Sequence, residues 1–310
     1  PEAVRELKEA GVKTIMITGD RMDTAFAIAK QLQLASRREE CISGEELDEM
    51  SEEKLDRRLD KLAVLAHVSP EHKVRIVSAL KRNGKIVAMT GDGVNDAPSL
   101  KSADIGIAMG MEGTDVAKNA ADLVLTDDNF ATITRAVEQG RCIYENIKKS
   151  VLFLLSSNLG EIVTMLTAIA CGFASPLKSS HILWINLITD SLPALALGVD
   201  VAENKYRMKR PPRDAKEGLF AGGGMSVTLF YGFLIAFISI TAFLQLPLHI
   251  LAERGIPFSL YNLRVALTSD RILSCSQTYA FTVLGMSQLF HAIGMRDTEV
   301  SVFKMNYSFW

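Results

Sequence analysis

Two loops rich in glycine and aspartate follow apolar, strand-like runs in the first half of the chain. One contains Thr18-Gly19-Asp20, and the other is TGDGVNDAP at residues 90–98. Glycine lets the main chain approach a ligand closely, and carboxylates supply the hard oxygen atoms that Mg2+ prefers. Gly-Asp pairs also occur in ordinary turns, and that interpretation stays open for the first loop. The length and composition of the second loop indicate a site for Mg2+ and a phosphate group.

Individual side chains indicate how such a site would work. Asp92 and Asp96 lie on a turn that leads into a helix, where they can offer oxygen atoms to Mg2+. The hydroxyl group of Thr18 can hold phosphate oxygens by hydrogen bonding, and the ammonium group of Lys73 can do so by charge. Because Lys73 lies near the start of a helix that follows another strand, we expect it to reach the same edge.

The elements that position these loops alternate between strand-like and helix-like patterns, which predicts an α/β fold with a doubly wound parallel sheet. Ligands bind such sheets at the carboxyl ends of the strands, where both loops lie. Residues 36–62 are highly charged and are expected to form a solvated helical insertion without chemistry, with a helix cap at Ser43. The predicted strands are 14–20, 63–68, 85–93, 104–110 and 122–127, and the predicted helices are 23–33, 70–82 and 114–120.

The second loop, together with MITGD upstream and the lysine of PEHKVRIV, closely resembles the phosphorylation domain of P-type ATPases, which belong to the haloacid dehalogenase superfamily. The resemblance implies that Asp92 binds Mg2+ and that the other matching residues support the phosphate site or contact the phosphoryl group. Those residues are Thr18, Gly19, Asp20, Lys73, Asn95 and Asp96.

The nucleophile of that family is the aspartate of a DKTGT motif, and no such motif occurs in this sequence. The resemblance therefore implies that the nucleophile lies upstream, together with an actuator domain, a nucleotide-binding domain and membrane helices one to four. We expect this chain to be unable to hydrolyse ATP on its own.

The composition of the chain changes near residue 150. Residues 1–149 have a soluble mixture of residues, which predicts a cytoplasmic phosphorylation domain with its stalk, whereas residues 150–310 carry long apolar runs, which predict a transmembrane domain. A membrane helix needs about 20 apolar residues. The predicted spans are 151–173, 181–199, 219–246 and 278–295, with a long outer loop at 247–277.

Charge and cysteine content exclude some functions and orient the predicted spans. The formal net charge of -2 argues against a nucleic-acid-binding protein. The 4 cysteines lie far apart, which argues against a zinc site or a disulfide framework. Basic residues precede the first span and lie between the second and third, so these flanks are expected in the cytoplasm. One continuous helix from Phe130 into the first span is favoured over two helices with a break near Gly140.

Polar residues lie within two of the predicted spans. Asn158 and Glu161 are three residues apart and share one helix face, and Asn186, Thr189 and Asp190 cluster just before a proline. A protonated acid, or polar contacts between helices, would explain any one of them. Together they predict an ion pathway, and their oxygen atoms suit Ca2+.

The segments SSNLGEIV and ILWINLITDSLPALALG resemble the fifth and sixth membrane helices of type II P-type pumps, most closely the Ca2+ pumps of the sarco/endoplasmic reticulum kind. The resemblance implies that the five polar residues bind Ca2+. Those pumps also have a glutamate on the eighth membrane helix, whereas the matching segment here has no carboxylate. Gly285 is expected in its place, with Gln288 and His291 as the nearest polar groups and Gln288 as a candidate ligand.

The resemblance implies an ATP-driven pump that exports Ca2+ from the cytoplasm, with Mg2+ as cofactor and with protons returning through Glu161 and its neighbours. Its expected partners are the lipid bilayer, ATP and Ca2+, and its expected location is a bacterial cell membrane, which it crosses several times. Three alternatives stay open. They are a P-type pump for Mn2+ or for Na+ and K+, a membrane-tethered phosphatase of the same superfamily, and a membrane fragment without enzymatic activity.

Overall fold

The computed structural model describes residues 2–200, 207–214 and 217–296. These residues form two compact units that divide between Arg141 and Cys142, and the segment 207–214 belongs to the first unit. The first unit contains helices and parallel strands, and the described part of the second contains helices and no strand.

Six short strands of the first unit form two parallel sheets. They are β1 (Met16–Ile17), β2 (Cys41–Ser43), β3 (Val64–Ala66), β4 (Ala88–Gly91), β5 (Ile105–Met109) and β6 (Leu123–Leu125). One sheet has the order β1-β3-β2 and the other β4-β5-β6, with every pairing parallel. The predicted α/β class with parallel strands is therefore confirmed. The single sheet that we expected is divided in two, because β1 pairs only with β3 and β4 only with β5 among the described residues.

Seven helices surround these strands within the described part of the first unit, before the long helix that ends it. They are α1 (Glu2–Glu9), α2 (Met22–Gln31), α3 (Gly44–Asp48), α4 (Glu52–Arg58), α5 (Pro70–Arg82), α6 (Ala97–Ser102) and α7 (Asp115–Ala120). Helix α5 connects β3 to β4 and has the predicted bounds. Ser69 caps it, because its Oγ accepts a hydrogen bond from the N–H of His72 at 3.4 Å. The buried side chains of Ile76 and Val77 then pack α5 against apolar clusters that also contain Leu65 of β3 and Met89 of β4, respectively.

Residues 36–62 were predicted to form a solvated helical insertion; helices α3 and α4 confirm the helical part, but the prediction that the segment is solvated is wrong. Strand β2 lies in this range and pairs with β3, and Ser43 caps α3 through a hydrogen bond from the N–H of Glu46 at 3.2 Å. Leucines spaced along the segment point into the core, while the charged residues between them face solvent. High average charge concealed this apolar pattern. The fully buried residues are Ile42, Leu47, Leu55, Leu59 and Leu62, each at most 1% exposed.

The described part of the second unit is built from helices of different lengths. They are the greater part of α8 (Phe130–Ala170), followed by α9 (Ser179–Trp184), a π-helical segment (Ile185–Asp190), α10 (Ser191–Gly198), α11 (Gly224–Glu253), α12 (Leu260–Ala266) and α13 (Asp270–Met295). Helix α8 passes through Gly140 without a break, so the continuous helix is confirmed. The domain boundary between residues 149 and 150 stays a prediction, since α8 continues through it.

The predicted start of the third span and the predicted outer loop are both wrong. The third span was expected from residue 219, but Gly222 and Gly223 have positive φ values of 66° and 90°, and the helix begins after them. The outer loop at 247–277 is mostly helical, because α11 continues past Pro247 and α12 and α13 fill much of the remainder. Hydropathy reports which part of a helix suits a bilayer rather than where the helix ends. Among the described residues, α8 and α11 are long and apolar enough to cross a membrane.

Glycines bring α8 and α11 into close contact. A Cβ atom on Gly232 would lie 2.8 Å from Cγ of Leu159 and 3.0 Å from its Cβ, and one on Gly160 would lie 2.8 Å from Cγ2 of Ile235. These distances are shorter than side chains tolerate, so the two helices would have to move apart. Small residues are the usual means of such close packing in membranes.

We therefore expect Gly232→Ala to lower the stability of the helical unit by about 1–3 kcal/mol, the usual cost of overpacking. Thermal unfolding in detergent measures the effect. Gly294→Ala is the matched control, because a Cβ atom there meets nothing within 4 Å and alanine favours helix. Equal melting temperatures for Gly232→Ala and the unmodified protein would contradict the close contact.

Candidate functional site

An ion pair with little solvent exposure lies at the carboxyl end of β4. Nζ of Lys73 donates to Oδ1 of Asp96 at 2.5 Å, and the two side chains are 18% and 8% exposed. The other oxygen of Asp96, Oδ2, accepts hydrogen bonds from the N–H groups of Asp92 at 3.3 Å and Gly93 at 3.2 Å. A Cβ atom on Gly91 would lie 2.8 Å from Cγ of Asp96, which explains glycine at that position. Asp96 thus joins the lysine of α5 to the loop after β4.

The carboxylate of Asp92 is exposed at the same edge, and its main-chain carbonyl accepts a hydrogen bond from the N–H of Thr114 at 2.8 Å. Mg2+ is usually held by one or two carboxylates together with phosphate oxygens. An exposed aspartate at a strand end fits that requirement. Asp96 fits it less well, because Lys73 and two N–H groups already engage its oxygens.

The Thr18 loop forms a second network. Oγ1 of Thr18 accepts a hydrogen bond from the N–H of Asp20 at 3.1 Å. The carbonyl groups of Thr18 and Asp20 accept hydrogen bonds from Val68 at 3.4 Å and His67 at 2.9 Å, in the segment between β3 and α5. Gly19 and Asp20 are exposed. The loop is therefore fixed to the segment that leads into α5, the helix that carries Lys73.

The predicted phosphate-site residues thus fall into two hydrogen-bonded groups. Lys73, Asp92 and Asp96 belong to one network, and the Thr18 loop forms the other. Within the described residues, no hydrogen bond or ion pair joins the two groups. Asn95 is exposed on the loop after β4.

Buried polar side chains meet within the second unit. Nε2 of Gln288 on α13 donates to Oε1 of Glu161 on α8 at 3.1 Å, and the two residues are 0% and 7% exposed. Asp190, which is 3% exposed, lies within electrostatic range of Glu161. Both carboxylate oxygens of Asp190 and Oε1 of Gln288 are buried without a hydrogen-bond partner. Unsatisfied buried oxygen atoms are costly, so this arrangement suits a bound cation.

The π-helical segment shapes one side of this cluster. It ends at Asp190, and Thr189 beside it is 7% exposed. Such segments break the regular helix hydrogen bonds and often occur at functional sites. Here Oγ of Ser191 donates to the carbonyl of Asn186 at 2.8 Å. The side chain of Asn186 is exposed and that of Asn158 is half-buried, so neither is enclosed as Glu161 is.

The expectation that Gly285 replaces the glutamate of the eighth helix is wrong, since Gln288 is the residue of α13 that contacts Glu161. Gly285 lies one turn away, where its Cβ would be 3.9 Å from Oγ1 of Thr189. Positions 285 and 288 share one face of a helix, and sequence spacing alone does not show which of them reaches a given partner.

A second buried polar contact in this unit, between His291 and Ser156, was not predicted from the sequence. Nε2 of His291 and Oγ of Ser156 are 2.6 Å apart, and Nδ1 of His291 is buried without a partner. The imidazole ring contacts the rings of Tyr231 and Phe153, with centroid distances of 4.2 Å and 5.6 Å. The three-residue spacing from Gln288 was the available signal that His291 also faces inward.

Models of known protein families match parts of both units. Residues 1–104 match a model described as haloacid dehalogenase-like hydrolase, as do residues 72–137, and residues 174–310 match the model for the C-terminus of cation transporting ATPases. The chain therefore belongs to the P-type ATPases, with a haloacid dehalogenase-like domain followed by the C-terminal membrane region.

The relatives are calcium-transporting ATPases. One from Bacillus cereus is 53% identical over 98% of this chain and 34% of its own length, and one from Bacillus subtilis is 48% identical over 98% and 32%. The human type 2C member 1 is 40% identical over 98% of this chain and 31% of its own length. The chain thus spans about a third of the length of these curated relatives.

Proposed function

We propose that this chain is the C-terminal part of an ATP-driven pump that exports Ca2+ from the cytoplasm through an aspartyl-phosphate intermediate. The observation that carries the proposal is the set of buried oxygen atoms on Glu161, Asp190 and Gln288, of which three atoms lack any hydrogen-bond partner. A cation that crosses the membrane would satisfy them. The similarity to calcium-transporting ATPases over 98% of the chain supports Ca2+ as that cation.

The proposed Ca2+ ligands all present oxygen atoms. Among the described residues, no group of three or more His, Cys, Asp or Glu side chains could hold a metal ion. Amide, hydroxyl and main-chain oxygens must therefore complete the site, as they can for Ca2+, which takes six to eight oxygen ligands. The proposed set is Asn158, Glu161, Asn186, Thr189, Asp190 and Gln288.

At the phosphate edge, we assign Mg2+ to Asp92, where the ion would neutralise phosphate charge when bound. Lys73 supplies a positive charge for the phosphoryl group, and Asp96 holds that lysine and the loop main chain in place. Thr18, with Gly19 and Asp20, would contact the phosphoryl oxygens, and Asn95 would support the loop. Preorganised donors of this kind account for most of the catalysis in phosphoryl transfer.

The aspartyl nucleophile would come from the part of the pump that precedes this chain. Strands β1 and β4 each have one edge without a strand partner among the described residues, and both end in candidate phosphate loops. One further parallel strand would join the two sheets and bring its own carboxyl end to the same edge. This chain alone would then be inactive. The actuator domain, the nucleotide-binding domain and the first four membrane helices would belong to the same missing portion.

The membrane setting follows from the same proposal. The two long apolar helices support a membrane protein, and we infer several spans with the phosphorylation domain in the cytoplasm, where ATP is. The most similar relatives reported above include two from bacilli, which favours a bacterial cell membrane. Glu161 and its neighbours are proposed to carry protons in the return direction.

Transport by the complete protein in sealed vesicles tests the proposal. We expect ATP-dependent uptake of radioactive Ca2+ that needs Mg2+, together with a phosphoenzyme whose formation from ATP requires Ca2+. Mn2+, which also prefers oxygen ligands, is measured in parallel. Uptake of Mn2+ alone would replace the cation, and phosphatase activity without transport would favour a tethered phosphatase instead.

A further inference from the structure

Asp128, in the turn between β6 and α8, has an unusual main-chain conformation. Its φ of 47° lies in the left-handed region, which few residues other than glycine adopt. Such a conformation persists where surrounding contacts require it. The contacts that accompany it here are made by the side chain.

The carboxylate of Asp128 gathers the N–H groups of three consecutive residues. Oδ1 accepts hydrogen bonds from Gly110 at 2.5 Å and Met111 at 3.0 Å, and Oδ2 accepts them from Met111 at 3.1 Å and Glu112 at 2.7 Å. Successive main-chain N–H groups form a concave site that favours a negative charge. Consistent with this, the N–H groups of Met111 and Glu112 lower the pKa of Asp128 below the ordinary value.

The residues that Asp128 holds lead directly to the proposed Mg2+ site. The same loop ends at Thr114, whose N–H donates to the carbonyl of Asp92 at 2.8 Å. Gly113 has no space for a side chain, since its Cβ would lie 2.9 Å from the carbonyl carbon of Met109. The loop is therefore compact, and one end of it is fixed by Asp128 while the other contacts Asp92.

We propose that Asp128 is a positioning residue for Mg2+ binding, because its carboxylate holds loop 110–114 against the main chain of Asp92. This inference rests on the proposed function, which assigns Mg2+ to Asp92. Asp128 itself does not contact the ion or the phosphoryl group. Its removal should weaken Mg2+ binding while leaving the maximal phosphoenzyme level largely intact at high Mg2+.

The neighbouring Asp127 provides a matched control. Its Oδ1 accepts a hydrogen bond from the N–H of Asn129 at 3.1 Å, and its Oδ2 accepts one from the hydroxyl of Thr132 at 2.6 Å. Asp127 thus stabilises the start of α8, and within the described part of the chain its carboxylate makes no hydrogen bond to loop 110–114. Asp127→Asn removes the same negative charge and disturbs hydrogen bonds in the same turn, but it should leave loop 110–114 in place.

Two measurements on the complete pump test the proposal. The first is the Mg2+ concentration that gives half-maximal phosphorylation by inorganic phosphate. Losing an outer-shell contact commonly lowers metal affinity by about 10–100-fold, so Asp128→Ala should raise this concentration by roughly tenfold or more, Asp128→Asn by less, and Asp127→Asn hardly at all. The second is hydrogen exchange of the main-chain N–H groups, measured without Mg2+. Residues 110–114 should exchange faster than in the wild type in both Asp128 variants, and at the wild-type rate in Asp127→Asn.

The outcomes separate this inference from the proposed function. A half-maximal Mg2+ concentration unchanged in Asp128→Ala, or unchanged exchange in residues 110–114, would overturn the positioning role. If alanine prevents folding, Asp128→Asn and its exchange pattern decide the matter. A wild-type protein that forms no phosphoenzyme with either ATP or inorganic phosphate would instead contradict the proposed function, and the exchange measurement would still show whether Asp128 holds the loop.

Discussion

Asp96→Ala is expected to lower the phosphoenzyme level of the complete pump by at least about a hundredfold, the usual scale for losing a preorganised group at a reacting centre. The substitution leaves the ammonium group of Lys73 without its partner in a site where the lysine is only 18% exposed. It also leaves the N–H groups of Asp92 and Gly93 without their acceptor. Removing one partner of a buried ion pair commonly costs about 3–5 kcal/mol. We therefore expect both the loop and the lysine to leave their positions.

Asp96→Asn separates the two contributions. The amide oxygen can still accept hydrogen bonds from the loop, but the negative charge opposite Lys73 is lost. We expect a loss between those of the wild type and Asp96→Ala, measured by phosphorylation from ATP and from inorganic phosphate. A loss as large as that of alanine would assign the effect to the ion pair alone.

Asp104→Asn is the matched control for this experiment. Asp104 also pairs with a lysine, Lys81, at 3.1 Å, and its Oδ2 accepts a hydrogen bond from the N–H of Val87 at 2.9 Å. These contacts lower its pKa below the ordinary value, chiefly through the N–H of Val87. It lies at the other end of β5 from the loop after β4, so phosphorylation should stay within about twofold of wild type. Equal losses at Asp104 and Asp96 would indicate a general loss of folding.

Sequence patterns predict the first unit well where local signals agree with the fold. Helix α5 has its predicted bounds because Ser69 is a strong cap and Pro70 suits the first helical position. The loop after β4 stood out in the sequence because few structures other than a phosphate site explain so many glycines and aspartates in succession, and its role in binding phosphate stays a prediction. The buried strand β2 was missed because average charge in residues 36–62 concealed its apolar spacing.

Contacts between distant segments could not be predicted in the same way. Asp128 lies in a polar turn, and its role depends on N–H groups of residues 110–112, which no spacing rule connects to it. The choice between Gly285 and Gln288 depends on the rotation of α13 relative to α8. Periodicity gives the face of a helix, but the partner of each residue on that face is fixed only by packing.

Glu161→Gln is expected to lower the apparent Ca2+ affinity of the complete pump by about a hundredfold or more, because Ca2+ affinity depends strongly on the number of charged ligands. Glutamine has nearly the same shape, so the packing of α8 should be preserved. The remaining carboxylate of the proposed site, Asp190, would then face the cation with only neutral oxygens around it. Equilibrium binding of radioactive Ca2+ gives both the affinity and the number of ions bound per phosphorylation site.

The same experiment decides whether Glu161 binds Ca2+ or mainly carries a proton. If Glu161 is a ligand, Glu161→Gln weakens binding or removes one ion; if it is mainly a proton carrier, binding is unchanged and only the pH dependence of transport is altered. Gln277→Ala is the control for removing a buried polar group, because Gln277 is 7% exposed on α13 but donates to the carbonyl of Ser175 at 2.8 Å. Unchanged Ca2+ affinity and stoichiometry in Glu161→Gln would remove this residue from the proposed ligand set. The contact with Gln288 would then serve to hold a protonatable group in place.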